Sequence, residues 1–214
     1  MEMEPVIVEE FGVHIDQHEV YRLLGKQGGS GSRERFEGVV GEAIEHAMGL
    51  LNPKGIYLVT SGCALPESVQ FEDFEKVAFC VCTIGPGLEQ EVSALSEKGN
   101  ILKAVVLDSV GSVAAEATAE YMDQQIQELA AREGLLTSCR ASPGYGDWNI
   151  EEQASIFRLL PAKRIGVRLT ERYMMVPRKS VSFAVHIAKE PRRMRSENSC
   201  RNCDREDCPY RLTE

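Results

Sequence analysis

The sequence predicts an α+β fold. Helical and strand patterns follow one another without a clean βαβ repeat, and the last strand-like runs are joined by connections too short to cross over, so they should pair antiparallel. A long run of small and apolar residues supplies one central helix. At 214 residues with 43% apolar side chains, the chain can bury one substantial core. Residues 1–190 are expected to form that α+β domain, and residues 191–214 read as a polar, cysteine-containing tail.

In chain order, a short helix over residues 19–24 leads into the Gly/Ser-rich stretch 27–32, a flexible connection. Residues 33–51 place Phe36, Val39, Val40, Ala43, Ile44, Ala47 and Leu51 at helical spacing, and Asn52-Pro53 ends the pattern. Residues 56–60 and 77–83 are apolar, β-rich runs closed by turn residues, read as neighbouring strands. Gly85-Pro86-Gly87 makes a tight turn into a helix over 88–98, and Gly99-Asn100 breaks it. The longest helix follows, over 101–133. Its middle, with Gly111, Ser112, Ala114, Ala115, Ala117 and Ala119, is small enough for another backbone to approach closely. Asn149 followed by Glu152 reads as a capping box, launching a helix that ends before Pro161. Residues 165–169, 173–176 and 181–187 read as strands, with Pro177, Arg178 and Lys179 as a turn.

Composition excludes several function classes. A formal charge of -9 repels phosphate backbones and anionic membranes, so no nucleic-acid or membrane partner is expected. No stretch approaches the roughly 20 apolar residues of a membrane span, and residues 1–10 are acidic where a secretory signal would be basic and then apolar. A cytoplasmic protein is expected. Asp16-Gln17-His18 begins like the cobalamin-ligating D-x-H-x-x-G motif, but Tyr21 stands where glycine is required. Gly85-Pro86-Gly87 has Gln90 at the third glycine position of a dinucleotide turn, and no serine has a nucleophile-elbow setting.

Seven cysteines in such a chain argue against a disulfide framework. Cys63, Cys80 and Cys82 read as small buried hydrophobes. Cys200, Cys203 and Cys208 lie within nine residues in a polar segment, the local spacing of a zinc or iron-sulfur site. A fourth ligand would have to be Cys139, a residue of another chain or an exogenous group; the other reading is a tail of redox-exposed thiols.

The segment Arg140-Ala141-Ser142-Pro143-Gly144-Tyr145 joins the long helix to the capped one. Arginine offers a planar fork to a carboxylate, Pro143 fixes the local backbone, and Gly144 admits close approach of a ligand to the main chain. Tyr145 can cover an aromatic ring or face a cation.

This segment resembles the R-P-A-P-G-Y signature of the activation domain of cobalamin-dependent methionine synthase. Upstream, Ala115-Glu116-Ala117-Thr118-Ala119-Glu120-Tyr121 is similar to that family's A-E-A-x-A-E-Y helix. Downstream, Leu169-Thr170-Glu171 and Met175-Val176-Pro177, with Ser180-Val181-Ser182, follow its L-T-E-S-x-A-M-x-P-x-x-S-V-S-G pattern. Ordered matches cover roughly residues 105–187. Ala141 replaces a proline of the signature, Gly146-Asp147-Trp148 replace Pro-Ala-Cys-Pro, and the family's aromatic stretch beyond Ser182 is missing.

The resemblance implies an α+β domain with a curved antiparallel sheet that binds S-adenosylmethionine. It implies a role in restoring methylcobalamin from cob(II)alamin, with one electron and a methyl group from S-adenosylmethionine. Carried over by position, Arg140 and the Pro143-Gly144-Tyr145 backbone hold the ligand, and Glu116 lies near its positive groups. The cobalamin would then sit on a partner chain, a corrinoid methyltransferase such as a methionine synthase lacking its own activation domain. A redox- or metal-responsive sensor on the same fold stays open as an alternative, and the genes next to this one would separate the two.

Overall fold

The computed structural model describes residues 4–28, 38–61, 75–146 and 148–191. A five-stranded antiparallel sheet forms its centre, built from β1 (Val6–Val8), β2 (Lys54–Thr60), β3 (Lys76–Thr83), β4 (Leu136–Thr137) and β7 (Ser180–Ala188) in the spatial order β1-β2-β3-β7-β4. The two inner strands, β3 and β7, are mostly apolar or small on both faces, as strands covered on both sides must be, with His186 a buried polar exception. β3 pairs with β2 from Val77 opposite Thr60 to Thr83 opposite Lys54, and with β7 from Lys76 opposite Ile187 to Thr83 opposite Ser180.

Alternation along β3 divides the core. Val77, Phe79 and Val81 join Ile56 and Ala184 under α5 (Gln153–Leu159) and the 3-10 turn Ala162–Ile165, where Ile156, Leu160 and Ile165 are buried. Ala78, Cys80 and Cys82, with Phe183, Val185 and Ile187, face the second half of α4 (Ile101–Arg132) through Ala119, Met122, Ile126 and Ala130. A Cβ at Gly55 would lie 2.3 Å from Met122 Sδ, so the bare backbone of β2 lets α4 settle on the sheet. Fully burying each of the larger side chains contributes about 1.5 to 3 kcal/mol.

The first half of α4 leaves the sheet and packs among α1 (Gln17–Gly28), α2 (Val39–Met48) and α3 (Gly87–Glu97). Val20, Leu24, Val40, Ala47, Leu88, Val106, Leu107, Val110 and Ala114 form that helical core. The small middle of α4 admits a close neighbour, as its composition predicts, but the neighbour is side chain: a Cβ at Gly111 would lie 2.5 Å from Leu88 Cδ2 and 3.3 Å from Lys179 Cε.

Several elements differ from the expectation. α2 ends at Met48, and Leu50 and Leu51 instead donate their N–H groups to Ala47 O at 2.8 and 3.1 Å; residues 33–37 lie outside the described residues. Asn149 does cap, but through Glu151 N at 3.2 Å onto a 3-10 turn, Ile150–Glu152, that runs into α5. No capping box closes, because the Glu152 carboxylate accepts from Ser155 Oγ at 3.1 Å. The expected strand over 165–169 is reduced to β5 (Arg168–Leu169), since Ile165 ends a 3-10 turn that Gly166 closes at φ 79. β5 pairs with β6 (Met175–Val176) in a separate ribbon whose turn holds Tyr173 at φ 59. Only β7 of the three expected strands enters the main sheet. Its two edge strands, β1 and β4, were not anticipated.

Gly85-Pro86-Gly87 is the tight turn expected, with Gly85 at φ 79 and its N–H donated to Thr83 Oγ1 at 3.1 Å. Cys80 and Cys82 are fully buried, as expected of small hydrophobes, whereas Cys63 lies outside the described residues. Among the described residues, no helix is long and apolar enough to cross a membrane.

Candidate functional site

The segment after β4 continues along β7 as a ragged edge. Ser138 N donates to His186 O at 2.9 Å, Ala141 N donates to Ala184 O at 2.9 Å, and Ala184 N returns a bond to Ala141 O at 2.8 Å. Between these anchors the edge takes three residue steps, from Ser138 to Ala141, where β7 takes two, from His186 to Ala184. The extra residue makes a β-bulge, a device that re-aims a side chain. Ala141 must supply an N–H here, and a proline at that position has none. The departure from the signature therefore has a local use in this chain.

Arg140 sits in the bulge and points onto the α4 side of the sheet. Its guanidinium lies 5.6 Å from the centre of the Phe183 ring and is hydrogen-bonded to the Glu116 carboxylate. Glu120 is 3.5 Å from Nη2 and Asp123 is 3.9 Å from Nε. Positions 116, 120 and 123 are four and three residues apart, so α4 stacks the three carboxylates on one face. Glu116 and Glu120 reach solvent, with 62% and 54% of their side chains exposed, while Asp123 at the inner end keeps only 9%.

The charges respond to this setting. Burial opposes the Arg140 charge, but attraction and hydrogen bonding from Glu116, with Asp123 and Glu120 adding to them, raise it above its ordinary value. Arg140 stays ionised. For Asp123 burial dominates over the attraction of Arg140, Glu120 adds repulsion, and the hydrogen bond from Gln127 at 3.0 Å opposes them, leaving the carboxyl raised to about 6. Asp123 Oδ1 is buried and accepts no hydrogen bond. Beneath them, burial and then Cys82 push the Cys80 thiol well above its usual range, so it is a neutral, unreactive group.

Beyond Ala141 the chain turns sharply. Tyr145 N donates to Ser142 O at 3.2 Å, Trp148 N to Tyr145 O at 3.1 Å, and Gly144 N to Trp148 O at 2.7 Å. Pro143 is buried; Gly144, at φ 92, is exposed and has no Cβ that would press on Ile150 Cδ1 at 3.1 Å. Tyr145 is 60% exposed. Behind the turn, Gln153 Nε2 donates to Tyr173 O at 2.9 Å and Gln153 Oε1 accepts from Ser182 Oγ at 2.9 Å, tying α5 to the ribbon and to β7.

The structure thus brings Arg140 and Glu116 into direct contact and sets Pro143, Gly144 and Tyr145 in the turn that follows. Glu120, Asp123 and Phe183 complete the arrangement and were not singled out from sequence. The spacing of the two acids from Glu116 was visible there, but a solvated helix face gives the same pattern. Cys200, Cys203 and Cys208 lie outside the described residues, and Cys139 is exposed and unbridged. Among the described residues, no cluster of histidine, cysteine, aspartate or glutamate could hold a metal ion. A groove of about 220 Å³ lined by Val39, Ala43, Leu95, Leu107, Glu42, His46 and Lys103 lies among the helices, apart from Arg140. Chemically, a guanidinium and a carboxylate side by side can receive the two ends of a zwitterion.

Residues 65–198 match the family described as the vitamin B12 dependent methionine synthase, activation domain. In three dimensions the chain is similar to the crystal structure of the MetH reactivation domain bound to AdoHcy, with a TM-score of 0.69 and 16% identity, over 91% of this chain and 81% of that one. That likeness establishes the mixed fold, an antiparallel sheet with helices.

Proposed function

The chain belongs to the vitamin B12-dependent methionine synthase activation domain family, and from that premise we propose that it binds S-adenosylmethionine at Arg140 and supports reductive remethylation of cobalamin carried by a separate corrinoid protein. The observation that carries this reading is the Arg140–Glu116 pair at the sheet edge, beside the Pro143-Gly144-Tyr145 turn. Arg140 would take the ligand carboxylate and Glu116 its ammonium. The exposed backbone of Gly144 would let the ligand lie against the main chain, and the exposed Tyr145 ring would cover its adenine. The residues fit such a ligand, since both charges of its amino-acid end find an opposite partner. The related domain holds AdoHcy, which is what remains of S-adenosylmethionine once its methyl group has left.

Bound there, S-adenosylmethionine would supply a methyl group to the reduced corrinoid of the partner. This chain's residues orient the ligand and present it. Reacting atoms must come within about 3 to 3.5 Å, so the edge around Arg140 and Tyr145 has to dock on the corrinoid protein, if only transiently.

The test mixes the protein with a corrinoid methyltransferase from the same source in its cob(II)alamin form, with S-adenosylmethionine and a low-potential reductant. Methylcobalamin should form faster with the protein present, and Arg140→Ala should slow it. Equal rates with and without the chain for every corrinoid protein of that source would sink the reactivation role.

A further inference from the structure

Resting on the ligand reading above, we propose that Asp123 is a positioning residue: it receives the Arg140 guanidinium when the amino-acid end of the ligand claims the Glu116 carboxylate. The need for a second station follows from the geometry. Arg140 and Glu116 are hydrogen-bonded to each other, so one oxygen of the carboxylate meant for the ligand ammonium, Oε1, is already held by the protein's own cation. A ligand ammonium drawn to that same oxygen competes with the guanidinium for it, and a guanidinium that gives up part of the contact needs another acceptor.

Asp123 is the group built to take it. Its side chain is 9% exposed, and Oδ2 is held by Gln127 Nε2 at 3.0 Å. Its other oxygen is buried with no donor, a costly condition for an ionised carboxylate. Arg140 Nε is already within 3.9 Å of Oδ2. A shift of about 1 Å toward α4 brings the guanidinium to hydrogen-bonding distance of Oδ2, where its charge offsets part of the cost of leaving Oδ1 without a donor. In that position it would leave Glu116, 62% exposed, to the ligand ammonium and its own outer N–H edge to the ligand carboxylate. Glu120 cannot serve equally, because at 54% exposure its oxygens are already solvated.

The device should respond to pH, and the groups facing Asp123 show why the response is its own. From the bulge comes Arg140, from α4 itself Glu120 and Gln127, and from β3 Cys80. Arg140 stays charged and the Cys80 thiol stays neutral, each shifted away from the neutral range. Asp123, raised to about 6, changes charge within it. Only its ionised form can receive the guanidinium.

The experiment is calorimetric titration of S-adenosylmethionine into wild type and Asp123→Asn between about pH 5 and about pH 7.5, with a thermal melt to confirm that both are folded. Wild-type affinity should fall about tenfold from the upper to the lower end, the fraction by which a carboxyl of pKa about 6 loses its charge. Asp123→Asn should bind at least about tenfold more weakly at the upper end, as for a lost charged hydrogen bond, with no such pH dependence. Wild-type-like affinity and slope in Asp123→Asn would overturn the positioning role and leave the ligand site standing. A wild-type affinity that does not change with pH would also overturn it. No binding by wild type at any pH would take down the ligand reading itself, and this inference with it.

Discussion

Lys179 and Arg140 are buried to the same degree, each with 14% of its side chain exposed, and both lie against α4, yet the helix receives them differently. The Lys179 ammonium reaches Asp108 Oδ1 at 2.8 Å, Asp108 O at 2.9 Å and Ser112 Oγ at 2.8 Å. Its three N–H groups have three acceptors, and the contact ties the start of β7 to the first half of the helix. Arg140 meets three carboxylates on the second half, one close, one at 3.5 Å and one at 3.9 Å, and the last keeps an oxygen without a donor. A saturated cation holds the fold in one arrangement. A cation among surplus acid can be shared with something that arrives. Burial alone does not separate an anchor from a site; the completeness of the pairing does.

The largest effect expected is on stability, from the anchor. Lys179→Met should cost about 2 to 3 kcal/mol in denaturant unfolding, below the range for a fully buried pair because Asp108 remains 46% exposed and can be solvated. A cost under about 0.5 kcal/mol, the ordinary surface range, would break the comparison from that side.

Asp123→Asn should act in the opposite direction. The folded-state carboxyl is raised to about 6, above its ordinary value, so between those values the folded protein holds a proton that the unfolded chain has released. Wild-type stability therefore falls as pH rises through about 4 to about 6 and does not return above it. Asp123→Asn lacks this loss: it should be more stable than wild type by about 2 to 3 kcal/mol near neutral pH and equal to it near pH 4. Melting curves across that range check this, and a variant destabilised at neutral pH would show that Asp123 supports the fold and that its unpaired oxygen costs nothing. Such a residue, kept at a cost in stability, is what a site adjacent to an anchor should contain.

The smallest effect belongs to Tyr145. With 60% of the residue exposed, Tyr145→Ala should leave unfolding free energy within about 0.5 kcal/mol of wild type. Its affinity for S-adenosylmethionine should still drop by about 0.5 to 1.5 kcal/mol, the worth of one aromatic contact. Unchanged affinity would remove the ring from the ligand and leave the guanidinium and carboxylate as the recognised ends.

How much of this was legible in the sequence follows from how local each feature is. α4 could be read from its run of small and apolar residues, and Arg140 with Glu116 from ordered motifs. β4 is two residues long and exists because β7 offers it an edge, so no periodicity could reveal it. The bulge that aims Arg140 depends on the same pairing. Lys179 reads as a turn residue; its partner Asp108 is 71 positions away, which only the fold closes. Asp123 sits at helical spacing from Glu116, but its burial comes with the packing of the second half of α4 on β3 and β7. The acid stripe was in view, and which of its members would be dry was not.

The central claim is that the cation among surplus acid is the ligand's and the saturated one is the fold's. Calorimetric titration of S-adenosylmethionine near neutral pH into wild type, Arg140→Ala and Lys179→Met tests it directly, at a temperature where all three are folded. Wild type and Lys179→Met should bind alike, while Arg140→Ala should lose about 1.5 to 3 kcal/mol, the worth of a charge-assisted contact to the ligand carboxylate. Equal affinity in wild type and Arg140→Ala, or no binding by wild type at millimolar ligand, would contradict it.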